Sequence, residues 1–294
     1  MNVFVTGATG FIGSAVVPEL LQAGHQVLGL ARSEKAAAAL TAAGAQVHRG
    51  ALDDLDSLRR GTAAADGVIH LGFVHDFTDY AASAETDRRA IETLGDALAG
   101  TGRPLITTSG SLLVHAPGRP ATELDEPAPH APRLSEAATL AQVAKGVRAA
   151  VVRLAPSVHG PGDGGFVPML IKSARQHGVA VYQGEGRNRW PGLHRLDAAR
   201  LYRLALEHGA AGARYHGVDE EGVEMRELMT VIGRHLGVPV ASKSPEEIGQ
   251  YLSWLAYFAA IDGPASNALT RQQLGWQPTQ PGLLADLEAG HYFG

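Results

Sequence analysis

The clearest chemistry in the chain lies in Thr6-Gly7-Ala8-Thr9-Gly10-Phe11-Ile12-Gly13. These residues follow an apolar strand-like run, Val3 to Thr6, and open a helical stretch from Phe11 to about Ala23. Glycines at this spacing allow a tight turn, close approach of backbone to a ligand, and close packing of helix on strand. The helix start then presents unpaired N–H groups and the positive end of its dipole to an anion. A three-glycine pattern alone is common. Placed between strand and helix, it reads as the diphosphate cradle of a dinucleotide, lined by Gly7, Thr9, Gly10, Phe11, Ile12 and Gly13. The end of the second strand, Gln26 to Ala31, separates the two nicotinamide dinucleotides. An acid there would accept from the ribose hydroxyls. Arg32 and Ser33 stand at that point instead, and a guanidinium pairs well with a 2′-phosphate. NADP(H) is therefore expected over NAD(H).

The Thr-Gly-x-x-Gly-x-x-Gly turn resembles that of the extended short-chain dehydrogenases/reductases, also called the NAD-dependent epimerase/dehydratase family. Further segments agree. Gly50-Ala51-Leu52-Asp53-Asp54 looks like the family's adenine-side turn, which places Leu52 and Asp53 at the cofactor, with Ala51 in place of the usual first acid. His70-Leu71-Gly72-Phe73 looks like the segment under the nicotinamide ribose and adds Leu71, Gly72 and Phe73. Val152 to Gly162 looks like the exit from the sixth strand, and Leu193-His194-Arg195-Leu196-Asp197 like a later structural segment. The resemblance runs from Met1 to about Val218. It implies a catalytic Ser followed by a Tyr and a Lys four residues apart, with Tyr as the acid, Lys lowering its pKa and Ser polarising the carbonyl. Ser109 stands where the serine belongs. The tyrosine and lysine are missing: counting from Ser135 places Pro132 and Glu136 at those positions, and no tyrosine lies in this stretch. The chain thus looks like an atypical member without the usual Tyr-x-x-x-Lys.

Another group must supply a proton if there is turnover. His75 follows the fourth strand beside Asp76, and a His next to a carboxylate can serve as acid or base. Tyr80 is a phenolic candidate. Each has a plainer reading, His75 as a polar loop residue and Tyr80 as a helix-face aromatic. His115 and His159 could approach the site or sit in loops and packing, and His194 reads first as a structural hydrogen bonder. No closely spaced His/Asp/Glu set suggests a metal. The Ser109 region lacks the G-x-S-x-G pattern of a nucleophile elbow. The aromatic stretch Tyr251 to Phe258 could cap a pocket, pack on a partner subunit or pack within the protein.

Positioning these residues falls to alternating short apolar runs and helical stretches. Strands are expected at 3–6, 26–31, 46–48, 67–71, 105–108, 150–154 and 214–218. Helices are expected between them, including a long one from about Thr78 to Ala99. Such alternation implies a Rossmann-type α/β fold, a doubly wound parallel sheet with helices on both faces. After Pro156 the chain turns Gly- and Pro-rich, and beyond Arg226 it is mostly helical. That predicts a cofactor domain from 1–157 and 197–218, and a smaller substrate lobe from 158–196 and 219–294. With 294 residues, a net charge of −5 and no cysteine, the composition points to no nucleic-acid partner, no disulfide and no thiolate metal site. No apolar run reaches a membrane span and no leader is evident, so a cytoplasmic protein is expected. The resemblance further implies a homodimer through the long helix. Three functions stay open: an NADP(H)-dependent oxidoreductase of a small carbonyl or hydroxyl compound with a non-standard acid/base, a non-catalytic NADP(H) sensor, and a nucleotide-sugar epimerase or dehydratase.

Overall fold

A computed structural model describes residues 1–76, 79–114, 116–128 and 131–294. In the first half, β1 (Asn2–Thr6), α1 (Gly13–Gln22), β2 (Gln26–Ala31), α2 (Glu34–Ala42), β3 (Gln46–Arg49), α3 (Leu55–Ala63), β4 (Gly67–His70), α4 (Tyr80–Leu98), β5 (Pro104–Gly110), α5 (Ser135–Ala141) and β6 (Arg148–Leu154) alternate as expected. Then follow β7 (Ser157–His159), α6 (Phe166–His177), β8 (Ala180–Gln183), β9 (Arg189–His194), α7 (Arg195–His208), β10 (Arg214–Gly217), β11 (Glu220–Glu224), α8 (Met225–Leu236), β12 (Val240–Lys243), α9 (Pro245–Leu252), α10 (Leu255–Ala259), α11 (Ala268–Leu274) and α12 (Leu283–Glu288).

The main sheet has the order β10-β6-β5-β4-β1-β2-β3, and every pairing is parallel. Its strands are buried on both faces because helices cover both, hence the continuous apolar runs such as Val3-Phe4-Val5 and Ala149-Ala150-Val151-Val152. The order reverses between β1 and β4. In open sheets, ligands bind at the carboxyl ends of the strands flanking such a switch. Thr6 and His70 end those two strands, and β5 ends nearby at Gly110.

Local signals explain several boundaries. Ser33, Asp54 and Asp79 accept from Ala36, Ser57 and Ala82 N–H and so start α2, α3 and α4. The helix expected between the fifth and sixth strands runs only to Ala141 and continues as a 3₁₀ turn, closed by left-handed Gly146. The expected start of α4 at Thr78 lies outside the described residues. The second half holds two further sheets, β11-β9-β7 and β12-β8, and beyond Arg226 the chain is mostly helical as expected, with β12 between α8 and α9. Strand β11 (Glu-Glu-Gly-Val-Glu) is too polar to betray itself. A separate apolar cluster there includes Leu170, Trp190, Leu228, Ile232 and Leu283. The aromatic stretch is split by Ser253 at φ +51° into α9 and α10. Phe258 turns inward onto Phe166 (5.2 Å between rings), while Tyr257 stays exposed.

Candidate cofactor and substrate site

The glycine turn is built by contacts that no side chain could share. Gly7 has φ +67°, and a Cβ there would lie 2.7 Å from Gly72 N, pressing β1 against the end of β4. A Cβ on Gly13 would lie 2.1 Å from Gly7 O. Gly10 differs: its Cβ would meet only Gly7 O, at 3.2 Å, and otherwise open space. Among the described residues none accepts from the N–H groups of Phe11, Ile12 or Gly13. Helix α1 therefore starts with free donors beside an uncrowded glycine. This arrangement fits an anion such as a dinucleotide diphosphate. Thr9 is exposed, and Phe11 and Ile12 are half-buried. Leu52 is drawn in over Gly72, where a Cβ would sit 2.9 Å from Leu52 Cδ2, and Leu71 N–H donates to Thr6 O at 3.2 Å. Asp53 and Arg32 are exposed, with Arg32 just beyond β2, and Ser33 caps α2.

Behind the turn runs a buried polar chain. Gly72 N–H donates to Thr6 Oγ1 (3.2 Å), which meets His70 Nδ1 at 2.8 Å. His70 Nε2 meets Asp87 Oδ1 at 3.1 Å, Ser135 Oγ–H donates to Asp87 Oδ2, and Arg133 Nε–H donates to Ser135 Oγ at 2.8 Å. With Asp87 ionised, the network assigns His70 the tautomer that donates from Nε2 and accepts at Nδ1. Every link then has one donor and one acceptor. Burial opposes the Asp87 charge. The hydrogen bonds from His70 and Ser135 and the charge of Arg133 outweigh it, and hold the carboxyl below the ordinary aspartate value.

The far end of this chain meets a cluster at the carboxyl edge of the sheet. The Arg133 guanidinium lies 4.3 Å over the Phe73 ring. Phe73 also touches His75 (5.2 Å between rings) and Tyr80 (5.8 Å). Partial burial, then the Arg133 charge, push the His75 pKa down, so the ring is neutral near pH 7. Burial raises the Tyr80 pKa, with Arg133 opposing, so the phenol keeps its proton. Ser109 is buried near the end of β5, and its hydroxyl makes no hydrogen bond to a described residue. Beneath it Thr108 Oγ1 is fixed by His70 O (3.0 Å) and the Tyr202 hydroxyl (2.7 Å). His115 lies outside the described residues.

Residues 3–218 match the NAD dependent epimerase/dehydratase family. The chain belongs to that family. An uncharacterised protein of Schizosaccharomyces pombe is 50% identical over 295 residues, covering 100% of both chains. The 2-alkyl-3-oxoalkanoate reductase of Stenotrophomonas maltophilia is 30% identical over 265 residues, 83% of this chain and 78% of the other. Among solved structures, the dTDP-glucose 4,6-dehydratase DesIV of Streptomyces venezuelae, with NAD bound, superposes with a TM-score of 0.78 at 21% identity, covering 99% of this chain and 96% of the other.

In this member of the epimerase/dehydratase family, Pro132 and Glu136 stand where the tyrosine and lysine were expected. Pro132 is exposed just before α5, and Glu136 is spoken for. Its carboxylate holds Arg153 (2.6 and 2.9 Å) and Arg214 (2.6 Å), and Arg153 is fully buried. The position expected to carry the lysine thus serves an internal ion pair joining α5, β6 and β10. Two histidines weighed as site groups pack edge to face on each other, their ring centroids 5.4 Å apart. His159 is buried, with Nδ1 2.9 Å from Asp286, and His194 Nδ1 accepts from Leu196 N–H to start α7. The sequence reading missed His70, Asp87, Ser135 and Arg133. One signal was available: Asp87 interrupts the apolar stripe Ala84, Ile91, Leu94 and Leu98 on α4, and an acid on a buried stripe needs a partner. Among the described residues no helix is long and apolar enough to cross a membrane, and no group of acids and histidines could hold a metal ion.

Proposed function

We propose that this protein is an NADP(H)-dependent oxidoreductase acting on a small carbonyl or hydroxyl compound. The observation that carries this reading is the grouping of His75 and Tyr80 around Phe73, one residue beyond the Gly72 that packs against the cofactor turn. The N–H groups of Phe11, Ile12 and Gly13 would hold the diphosphate, and Arg32 and Ser33 the 2′-phosphate. The segment 158–196 and 219–294 would form the substrate lobe. When bound, the dinucleotide supplies a hydride to a carbonyl carbon. Ser109 O–H would donate to the carbonyl oxygen, and the Tyr80 phenol would give that oxygen its proton as the C–O π pair leaves carbon. Solvent would return a proton to Tyr80, relayed by His75, whose neutral ring takes a proton at one nitrogen as it gives one from the other. A relative whose printed name is a 2-alkyl-3-oxoalkanoate reductase supports this assignment over sugar chemistry, which in the family leans on the missing tyrosine.

One observation favours a second reading. Glu136 is locked to Arg153 and Arg214, so no lysine surrogate stands there, which suits an NADP(H) sensor without turnover. The test is NADPH binding by fluorescence alongside NADPH oxidation over a broad panel of aldehydes, ketones and oxo acids. Oxidation of NADPH by any of them supports the enzyme. Tight binding with no oxidation leaves the sensor. Arg32→Glu is expected to weaken NADPH binding by about tenfold while sparing NADH. Unchanged NADPH affinity overturns the cofactor assignment.

A further inference from the structure

Arg133 is the one element of the site cluster that neither the cofactor turn nor the proton donors explain. It is half-buried in the segment leading into α5. Its Nε–H is anchored on Ser135, which is buried and bonded in turn to Asp87. Its plane lies over Phe73. One edge is thereby fixed by a hydrogen bond, and the ring beneath restrains the guanidinium. The two Nη groups donate to no described residue, and among the described residues no carboxylate lies within ion-pair distance of the guanidinium. Asp87, which shares its field, has both oxygens engaged by His70 and Ser135. Several exposed or half-buried arginines are neutralised by carboxylates, such as Arg88 by Glu85 and Glu92 and Arg203 by Glu19 and Glu207, whereas Arg133 is held by a hydroxyl and an aromatic ring. A partly desolvated, rigidly held guanidinium with its fork unfilled is a receptor for a planar anion.

We infer that Arg133 binds the carboxylate of the substrate, so that the site takes small oxo acids or the corresponding hydroxy acids. This rests on the oxidoreductase reading for the oxo and hydroxy groups, but the anion site itself does not. Placed over Phe73 and beside His75 and Tyr80, a carboxylate on Arg133 brings a carbonyl one or two carbons away toward the proton-donating groups. The Thr6–His70–Asp87–Ser135 chain is the positioning device. It ties the fork to the residue that immediately precedes Gly7, so cofactor turn and substrate anchor share one rigid support.

The test uses two probes, phenylglyoxylate and acetoacetate, each against its methyl ester, which keeps the ketone and removes the charge. Binding is read first, by titrating each probe into the protein saturated with NADP⁺ and following heat or thermal shift, so that no turnover is needed. The wild type should bind at least one acid about tenfold more tightly than its ester. Arg133→Met should abolish that difference, and Arg133→Lys should keep part of it. Ser135→Ala should raise KM for the acid and leave kcat and the ester's KM nearly unchanged, because it frees the fork without removing its charge. NADPH affinity should match the wild type in every variant, and so should the melting temperature of the Arg133 variants, whereas Ser135→Ala should melt a few degrees lower because a buried Asp87 oxygen loses its donor. Absence of acid binding, equal binding of acid and ester, or an Arg133→Met protein that loses NADPH affinity as well, overturns the inference. The last result would place Arg133 on the cofactor. Acid binding through Arg133 without NADPH oxidation keeps the anion site and removes the oxidoreductase reading. Reduction of ester and acid alike does the reverse.

Discussion

Replacing Gly10 by alanine separates the two jobs of the glycine turn. A Cβ at Gly10 meets Gly7 O at 3.2 Å and nothing else, and the residue is not in the left-handed region. Alanine also narrows the unfolded ensemble, a gain of about 0.4–1 kcal/mol that offsets the tight contact. Gly10→Ala should therefore melt within a few degrees of the wild type. The same methyl stands beside the free N–H groups of Phe11, Ile12 and Gly13, where a diphosphate must approach the backbone. Losing one or two charge-assisted hydrogen bonds, at about 1.5–3 kcal/mol each, weakens NADPH binding by about tenfold or more. Gly13→Ala is the contrast. Its Cβ would lie 2.1 Å from Gly7 O and 2.8 Å from Ala8 Cα, all backbone, so strand and helix must separate. That change should cost about 2–4 kcal/mol of stability. Urea unfolding and NADPH fluorescence titration on the three proteins decide the matter. Wild-type NADPH affinity in Gly10→Ala, or a stability loss equal to that of Gly13→Ala, refutes the assignment of this turn to the cofactor.

Glu136→Gln leaves Arg153 and Arg214 without their shared carboxylate inside the protein, and should cost about 3 kcal/mol in urea unfolding with little change in NADPH affinity. A large affinity loss at unchanged stability would show that the position still serves the cofactor. Asp163 gives a pH signature. Burial raises its carboxyl to about 6, while an unfolded aspartate titrates near ~3.9. The folded state thus keeps a proton that the unfolded chain releases, so this contribution is full below about pH 4 and lost as the pH rises through 6. Asp163→Asn should stabilise by about 1–2 kcal/mol near pH 8 and change little near pH 4, and an equal gain at both pH values contradicts this. If the proton passes through the Phe73 cluster, Tyr80→Phe should lower kcat by about a hundredfold, and full turnover in that variant moves the donor elsewhere.

The fold was open to reading, and a cofactor turn could be proposed, because both rest on local rules. Short continuous apolar runs, capping residues and Gly7, Gly10 and Gly13 act over a few neighbours, and the parallel sheet follows from strict alternation with helices. Arg32 and Ser33 were placed by their position after β2. The small strands β11 and β12 escaped notice because edge strands with one short partner need little apolar pattern.

The proposed substrate half rests on contacts across long stretches of chain. Thr6, His70, Asp87 and Ser135 are separated by 64, 17 and 48 residues, and no spacing rule joins them. Only the packing of β1, β4, α4 and α5 makes one hydrogen-bonded chain of them, and only that chain shows why Arg133 is held still beside Phe73. Likewise, the sequence shows an acid where a lysine was expected, but Glu136 becomes intelligible when Arg153 and Arg214 arrive from two other strands. Backbone conformation obeys near neighbours, so the dinucleotide turn was written in consecutive residues. Desolvated charge must be met by whatever the fold brings alongside, so the chemistry around it emerged only in three dimensions.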